Sequence, residues 1–130
     1  MAHLANILIV DDEARIADTL ALIFQRAGYA ATAAYSGTDA LSCIAAHQPS
    51  LVITDVVMPG LDGIELAKII RTSYPDCQVL LFSGNADTQA KLKAAEAEGH
   101  AFEVLAKPVP PSQLLAKVAS LLNRSSPAHP

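Results

Sequence analysis

The feature that most constrains this chain is a fivefold alternation of short apolar runs with longer amphipathic ones. Asn6 to Val10, Ala30 to Ala34, Leu51 to Asp55, Val79 to Phe82 and Ala101 to Ala106 read as strands. Arg15 to Ala27 has helical periodicity, with Ile16, Leu20, Ile23 and Ala27 on one face and Gly28 as its C-cap. Ser36 and Asp39 make a capping-box-like start to a helix reaching about His47. Met58-Pro59-Gly60 is a turn, after which Asp62 and Glu65 cap a helix to about Ser73. Thr88 to Glu98 is a helix rich in Ala, Lys and Glu, closed by Gly99. Pro111 opens the last helix, whose Leu114, Leu115, Val118, Leu121 and Leu122 form a core stripe. Continuous apolar strands separated by helices imply a five-stranded parallel sheet covered on both faces, (βα)5 in the α/β class. The second run is poor in β-branched residues, which suits an edge position.

A chain of 130 residues supports one core, with 52% hydrophobic and 17% charged residues arguing against disorder. We expect one domain over 1–123 and a flexible polar tail over 124–130. A net charge of −4 gives no attraction to phosphate backbones, so direct nucleic-acid binding is not expected. The N-terminus lacks the basic and apolar regions of a signal peptide, and no apolar stretch is long enough to span a bilayer, so membrane insertion is not expected. Cys43 and Cys77 form no C-x-x-C pair and read as reduced, core-like thiols of a cytosolic protein. His3, His47, His100 and His129 lack metal-ligand spacing and read as surface residues. Lys91, Lys93, Glu96 and Glu98 read as a solvated helix face.

Ligands of open α/β sheets bind beyond the carboxyl ends of the strands. Here the first strand ends at Asp11 and Asp12, the third at Asp55, the fourth at Ser83 and the fifth at Lys107. Singly, each has an ordinary reading as a cap, turn or strand terminus. Together they put three carboxylates at one edge, an arrangement that a divalent cation relieves. Oxygen-only ligands favour Mg²⁺, which keeps waters and accepts phosphate oxygens. Lys107 offers a point charge and Ser83 a hydroxyl, both suited to a phosphoryl group, and a carboxylate can attack phosphorus to give an aspartyl phosphate.

At this point the chain resembles the receiver domain of bacterial two-component response regulators. The matching residues are Asp11-Asp12, the run Thr54-Asp55-Val56-Val57-Met58-Pro59-Gly60-Leu61-Asp62-Gly63, Ser83-Gly84 and Lys107-Pro108. With their spacing they cover about Asn6 to Leu122. The resemblance implies a doubly wound, flavodoxin-like fold with strand order 2-1-3-4-5. It implies that Asp55 is the phosphoacceptor and that Asp12 ligates Mg²⁺ directly. Asp11 would act mostly through a bound water, with Asp55 and the Val57 backbone carbonyl as further ligands. It makes Ser83 the switch hydroxyl and Lys107 the partner of Asp55, aimed by a cis Lys107-Pro108 bond. It implies a histidine kinase or histidine phosphotransfer protein as donor, a downstream protein effector, and a cytoplasmic location. Such a chain catalyses its own phosphorylation and slow dephosphorylation and is not an independent turnover enzyme.

The sequence departs from that family in one respect. Most relatives carry Tyr or Phe three residues before the lysine, where this chain has Val104, with Phe102 two residues earlier on the same strand face. Readout is then expected in the segment after Ser83 and its helix, or in Phe102. The residues flanking the path of a hydrolytic water are expected to be Val57 and Asn85, neither a general base, which implies a long-lived phosphoryl group. Three other readings compete. A small Mg²⁺-dependent phosphatase would need an acid two residues after Asp55, where Val57 stands. A degenerate receiver used only for interaction would not need the intact acids, Ser83 and Lys107. A flavin binder would meet an acidic first loop.

Overall fold

The computed structural model describes residues 5–84 and 88–125. Its elements are β1 (Asn6–Val10), α1 (Ala14–Arg26), β2 (Ala30–Ala34), α2 (Gly37–Ala46), β3 (Leu51–Asp55), α3 (Gly63–Ser73), β4 (Gln78–Ser83), α4 (Thr88–Ala97), β5 (Glu103–Ala106) and α5 (Pro111–Ser125). The strands form one sheet in the order β2-β1-β3-β4-β5, and every pairing is parallel. The chain therefore leaves β1 towards one edge, returns, and continues to the other. This reversal places β1 and β3 side by side at the centre, and their carboxyl ends beside each other.

Residues alternate between two apolar layers, as strand pleating requires. Ile7, Ile9, Leu51, Ile53, Leu80 and Phe82 face α1 and α5, where they meet Phe24, Leu114, Val118 and Leu121. Leu8, Val10, Val52, Val79 and Leu81 face α2, α3 and α4, where they meet Ile44, Leu66, Ile70 and Ala95. As the sequence suggested, β2 lies at an edge. The pairs Ser36–Asp39 and Asp62–Glu65 also act as expected: Ser36 Oγ accepts from Asp39 N, and Asp62 and Glu65 form a complete capping box. Gly28 and Gly99 adopt positive φ just beyond α1 and α4.

Several expectations need correction. The buried face of α1 is Ala17, Ala21 and Phe24, with Ile16, Leu20 and Ile23 half-buried beside it and Ala27 exposed. The alanines let the helix axis approach the sheet, and the larger side chains fill the flanks. Strand β4 is one residue longer at each end than its apolar run, because polar Gln78 and Ser83 still pair, with Leu51 and Ala106. Strand β5 begins two residues late, since the Ala101 carbonyl accepts from Arg71 and the ladder starts at Leu80 with Glu103. Helix α5 runs to Ser125, two residues into the expected tail, and 126–130 lie outside the described residues. Cys77 is buried, which pushes its thiol up to about 12, but Cys43 is exposed. His100 is half-buried, with its ring stacked on Phe102 at 6.2 Å between centroids. His3 and His129 lie outside the described residues. No helix among the described residues is long and apolar enough to cross a membrane.

The layering predicts which leucines matter. Leu80, fully buried on the inner strand β4, should cost about 2–5 kcal/mol on replacement by Ala. Leu22, 46% exposed on α1, should cost about 0.5 kcal/mol or less. Urea denaturation midpoints of Leu80→Ala and Leu22→Ala measure the contrast.

Candidate phosphoryl and metal site

Parallel pairing carries the chemistry to one edge. Val10 pairs with Thr54, Asp55 with Phe82, and Ser83 with Ala106, so the polar residues that end these strands form a row. Asp11, Asp12 and Asp55 each offer an oxygen, all within 4.8 Å of one another. Adjacent residues leave a strand in opposite directions. Accordingly Asp11 is buried at 2% exposure, Asp12 is exposed and Asp55 lies between. Asp11 N donates to the Ala34 carbonyl, and Asp11 Oδ1 accepts from Glu13 N at 2.9 Å in a tight turn ahead of α1.

Lys107 completes the cluster. Its Nζ lies 3.4 Å from Asp55 Oδ2 and 3.8 Å from Asp11 Oδ2. Its backbone N donates to the Ser83 carbonyl at 2.9 Å, extending the β4–β5 ladder by one residue, and its bond to Pro108 is cis. The lysine stem lies across Gly84, where an added Cβ would come 3.3 Å from Lys107 Cδ. Ser83 is buried beside it at the end of β4. Val57 follows Asp55 by two residues with its side chain half exposed. Asn85, expected beside Val57, lies outside the described residues.

Gly63 has a structural duty that the sequence reading left inside the motif. A Cβ there would sit 2.0 Å from the Asp55 carbonyl oxygen and 2.9 Å from Val56 Cα. Gly63 N donates to the Val56 carbonyl at 2.8 Å. The first residue of α3 is thus packed against the backbone of Asp55, and only a residue without Cβ fits. A signal was present, since Gly is a poor first residue for a helix unless close approach demands it.

The electrostatics are those of crowded carboxylates. Burial raises the pKa of Asp11; the Glu13 N–H opposes this, Asp55 raises it further, Lys107 lowers it and Asp12 raises it. Asp11 Oδ2 is buried without a hydrogen-bond partner among the described residues. Among the described residues, Lys107 pairs with two of the three carboxylates, Asp11 and Asp55. An orphaned buried oxygen in an all-oxygen cluster fits a hard divalent cation of the Mg²⁺ kind. Oxygens of Asp11, Asp12 and Asp55 could hold it. The Val57 carbonyl, which accepts no backbone hydrogen bond among the described residues, could join them.

The raised Asp11 carboxyl has a sign that experiment can read. The folded protein holds this proton more tightly than the unfolded chain does. Folding stability should therefore fall as pH rises from about 4 through the folded-state value, because the buried group must ionise. In metal-free buffer, Asp11→Asn should gain stability relative to wild type across that window. Added Mg²⁺ should narrow the difference. Thermal melts of both proteins against pH, with and without the cation, check this.

Comparison with known proteins agrees with the geometry. The family model for the response regulator receiver domain matches residues 7–119. Among curated relatives, Response regulator MprA of Mycobacterium sp. (strain KMS) is 33% identical over 122 residues, covering 94% of this chain and 52% of that protein. The chain thus spans about half the length of the curated relatives it matches. A response regulator receiver domain protein from Clostridium thermocellum superposes with TM-score 0.82 at 32% identity, covering 93% of this chain and 96% of the other. A CheY-like receiver domain protein from Methanospirillum hungatei JF-1 gives TM-score 0.85 at 27% identity, covering 95% and 97%. With the strand order, the acidic cluster and these likenesses together, the chain belongs to the response regulator receiver family.

Proposed function

We propose that this protein is a phosphorylation switch in which Asp55 takes a phosphoryl group from a histidine kinase or a histidine phosphotransfer protein. The observation that carries the reading is the meeting of Asp11, Asp12 and Asp55 within 4.8 Å, with Lys107 3.4 Å from Asp55. In the transfer, an Asp55 carboxylate oxygen attacks phosphorus, forming the new P–O bond as the donor P–N bond breaks. The leaving electron pair stays with the imidazole nitrogen of the donor. Lys107 is close enough to exchange its contact with Asp55 for one with a phosphoryl oxygen, and Ser83 is the hydroxyl one strand over that would hold another. Asp11 and Asp12, with Asp55 and the Val57 carbonyl, would hold Mg²⁺, which when bound neutralises charge that develops during transfer.

On this reading, residues 1–123 form the switch, and a change of its surface selects a downstream protein effector. The chain would then act in the cytoplasm, beside the donor domain of its kinase. The chain catalyses only its own phosphorylation and a slow loss of the phosphoryl group. Nothing at the site favours a turnover phosphatase, because Val57 stands where such an enzyme needs a proton donor.

Two measurements test the reading. Intact mass after incubation with acetyl phosphate and Mg²⁺ should show one phosphoryl group on wild type and none on Asp55→Asn. EDTA should abolish the adduct, and Asp12→Ala should slow its formation at least about tenfold, the loss of one ligand's share of charge compensation. Equal rates in EDTA and Mg²⁺ would sink the metal assignment. The exposed Val57 side chain can neither donate to a water nor accept from one. Phosphate release from phosphorylated Val57→Asn should therefore be faster than from wild type. Equal decay would mean that this position does not govern access of water.

A further inference from the structure

Helix α4 is the most loosely held element of the sheet's second layer. Among its described side chains Ala95 is buried and Leu92 half-buried, while those on either side of them, Lys91 and Lys93 included, are exposed. Among the described residues, two ion pairs join this region to α3 and its cap. Lys68 Nζ lies 2.6 Å from Glu98 Oε1, just beyond the end of α4, and Lys91 Nζ lies 3.3 Å from Asp62 Oδ2. The face expected to be simply solvated is therefore partly an α3–α4 seam.

The two pairs differ in what stands behind them. Lys68 lies within α3, away from its first turn. Asp62 is the N-cap of α3 and is tightly fixed: its Oδ1 accepts from Glu65 N, its own N donates to Glu65 Oε1, and Oδ2 faces Lys91. The next residue, Gly63, is in contact with the Asp55 carbonyl and donates to Val56. A short series of contacts thus runs from the backbone of Asp55 through Gly63 and Asp62 to Lys91 on α4. The aromatic candidate for readout is held elsewhere. The Arg71 guanidinium sits 4.3 Å over the Phe102 ring, and Arg71 also donates to Ala101 O. His100 stacks on the same ring.

We propose that the Asp62–Lys91 pair couples the state of Asp55 to the position of α4, with Lys91 as the positioning residue. The inference rests on Asp55 being the phosphoacceptor. Close packing at Gly63 leaves the Asp55 backbone little room to shift without moving the α3 cap. Asp62 then carries Lys91 with it or parts from it. Because α4 buries little apolar surface, a modest change in one charged contact is enough to shift its population between docked and released states. The pair is individually weak, which suits a contact that has to be made and broken.

The test uses wild type, Lys91→Met and Lys91→Arg, each treated with acetyl phosphate and Mg²⁺. Lys91 is exposed, so these variants keep the core. Intact mass counts the phosphoryl groups, and amide exchange over 88–97 reads α4. All three proteins should take one phosphoryl group. Exchange in α4 should change severalfold on phosphorylation in wild type and Lys91→Arg, and stay the same in Lys91→Met. An undiminished α4 response in phosphorylated Lys91→Met would overturn the coupling, as would a silent α4 in fully phosphorylated wild type. Absence of the adduct on wild type would be a failure of the phosphoacceptor reading itself, and the coupling would fall with it.

Discussion

A carboxylate with almost no access to water, Asp11, stands at the end of the central strand β1, and the carboxyl edge of the sheet is organised around it. Burying a charge without full compensation is unfavourable by several kcal/mol in order of magnitude. Here compensation is partial: one backbone N–H on Oδ1, and Lys107 within ion-pair range of Oδ2 but beyond hydrogen-bonding distance. Asp12 and Asp55 add repulsion to the deficit. Such a cluster gives up stability to hold three acids in one place, the preorganisation that the proposed cation and phosphoryl group would need.

The surroundings of the cluster are rigid where it matters. Gly63 brings the start of α3 against the Asp55 backbone, and Gly84 lets the Lys107 stem lie flat over the end of β4. Ala17 and Ala21 bring α1 down onto the opposite face of the sheet. Small residues at these points turn close approach into fixed geometry. By contrast, among the described residues α4 buries Ala95 alone, and charged contacts at Lys91 and at Glu98 just beyond its end tie this region to α3. On the proposed reading, a closely packed α3 cap would pass a shift of the Asp55 backbone on to the loosely held α4 and not absorb it.

Two valines stand on either side of the proposed switch. Val57, two residues after Asp55, presents an apolar, half-exposed side chain, and Val104 stands in β5 at the position where the family resemblance led to the expectation of an aromatic ring. Phe102 shares the apolar layer of Val104, as the strand period suggested, but its ring is clamped by Arg71 and stacked with His100. The local contacts therefore tie Phe102 to the carboxyl end of α3. The cap of α3 serves the other end, near the acids.

The sequence by itself determined the (βα)5 order, the apolar strands, the caps at Ser36 and Asp62, and the identity of the polar residues at the strand ends. These are legible because each depends on neighbours in the chain: period, turn chemistry and capping act over a few residues. With the family resemblance, the strand order and the list of candidate site residues followed too. What only the tertiary structure decided is of another kind. The face of α1 that is buried went to the alanines, since the sheet rewards closeness of approach while periodicity weighs side-chain size. Cys43 and Cys77 looked alike and differ in burial, and so do Asp11 and Asp12, which are adjacent and chemically identical. The contact of Gly63 with Asp55, and that of Lys91 with Asp62, join residues on different elements. Burial and contact are properties of packed surfaces, and nothing in the linear order of residues states which surfaces will meet.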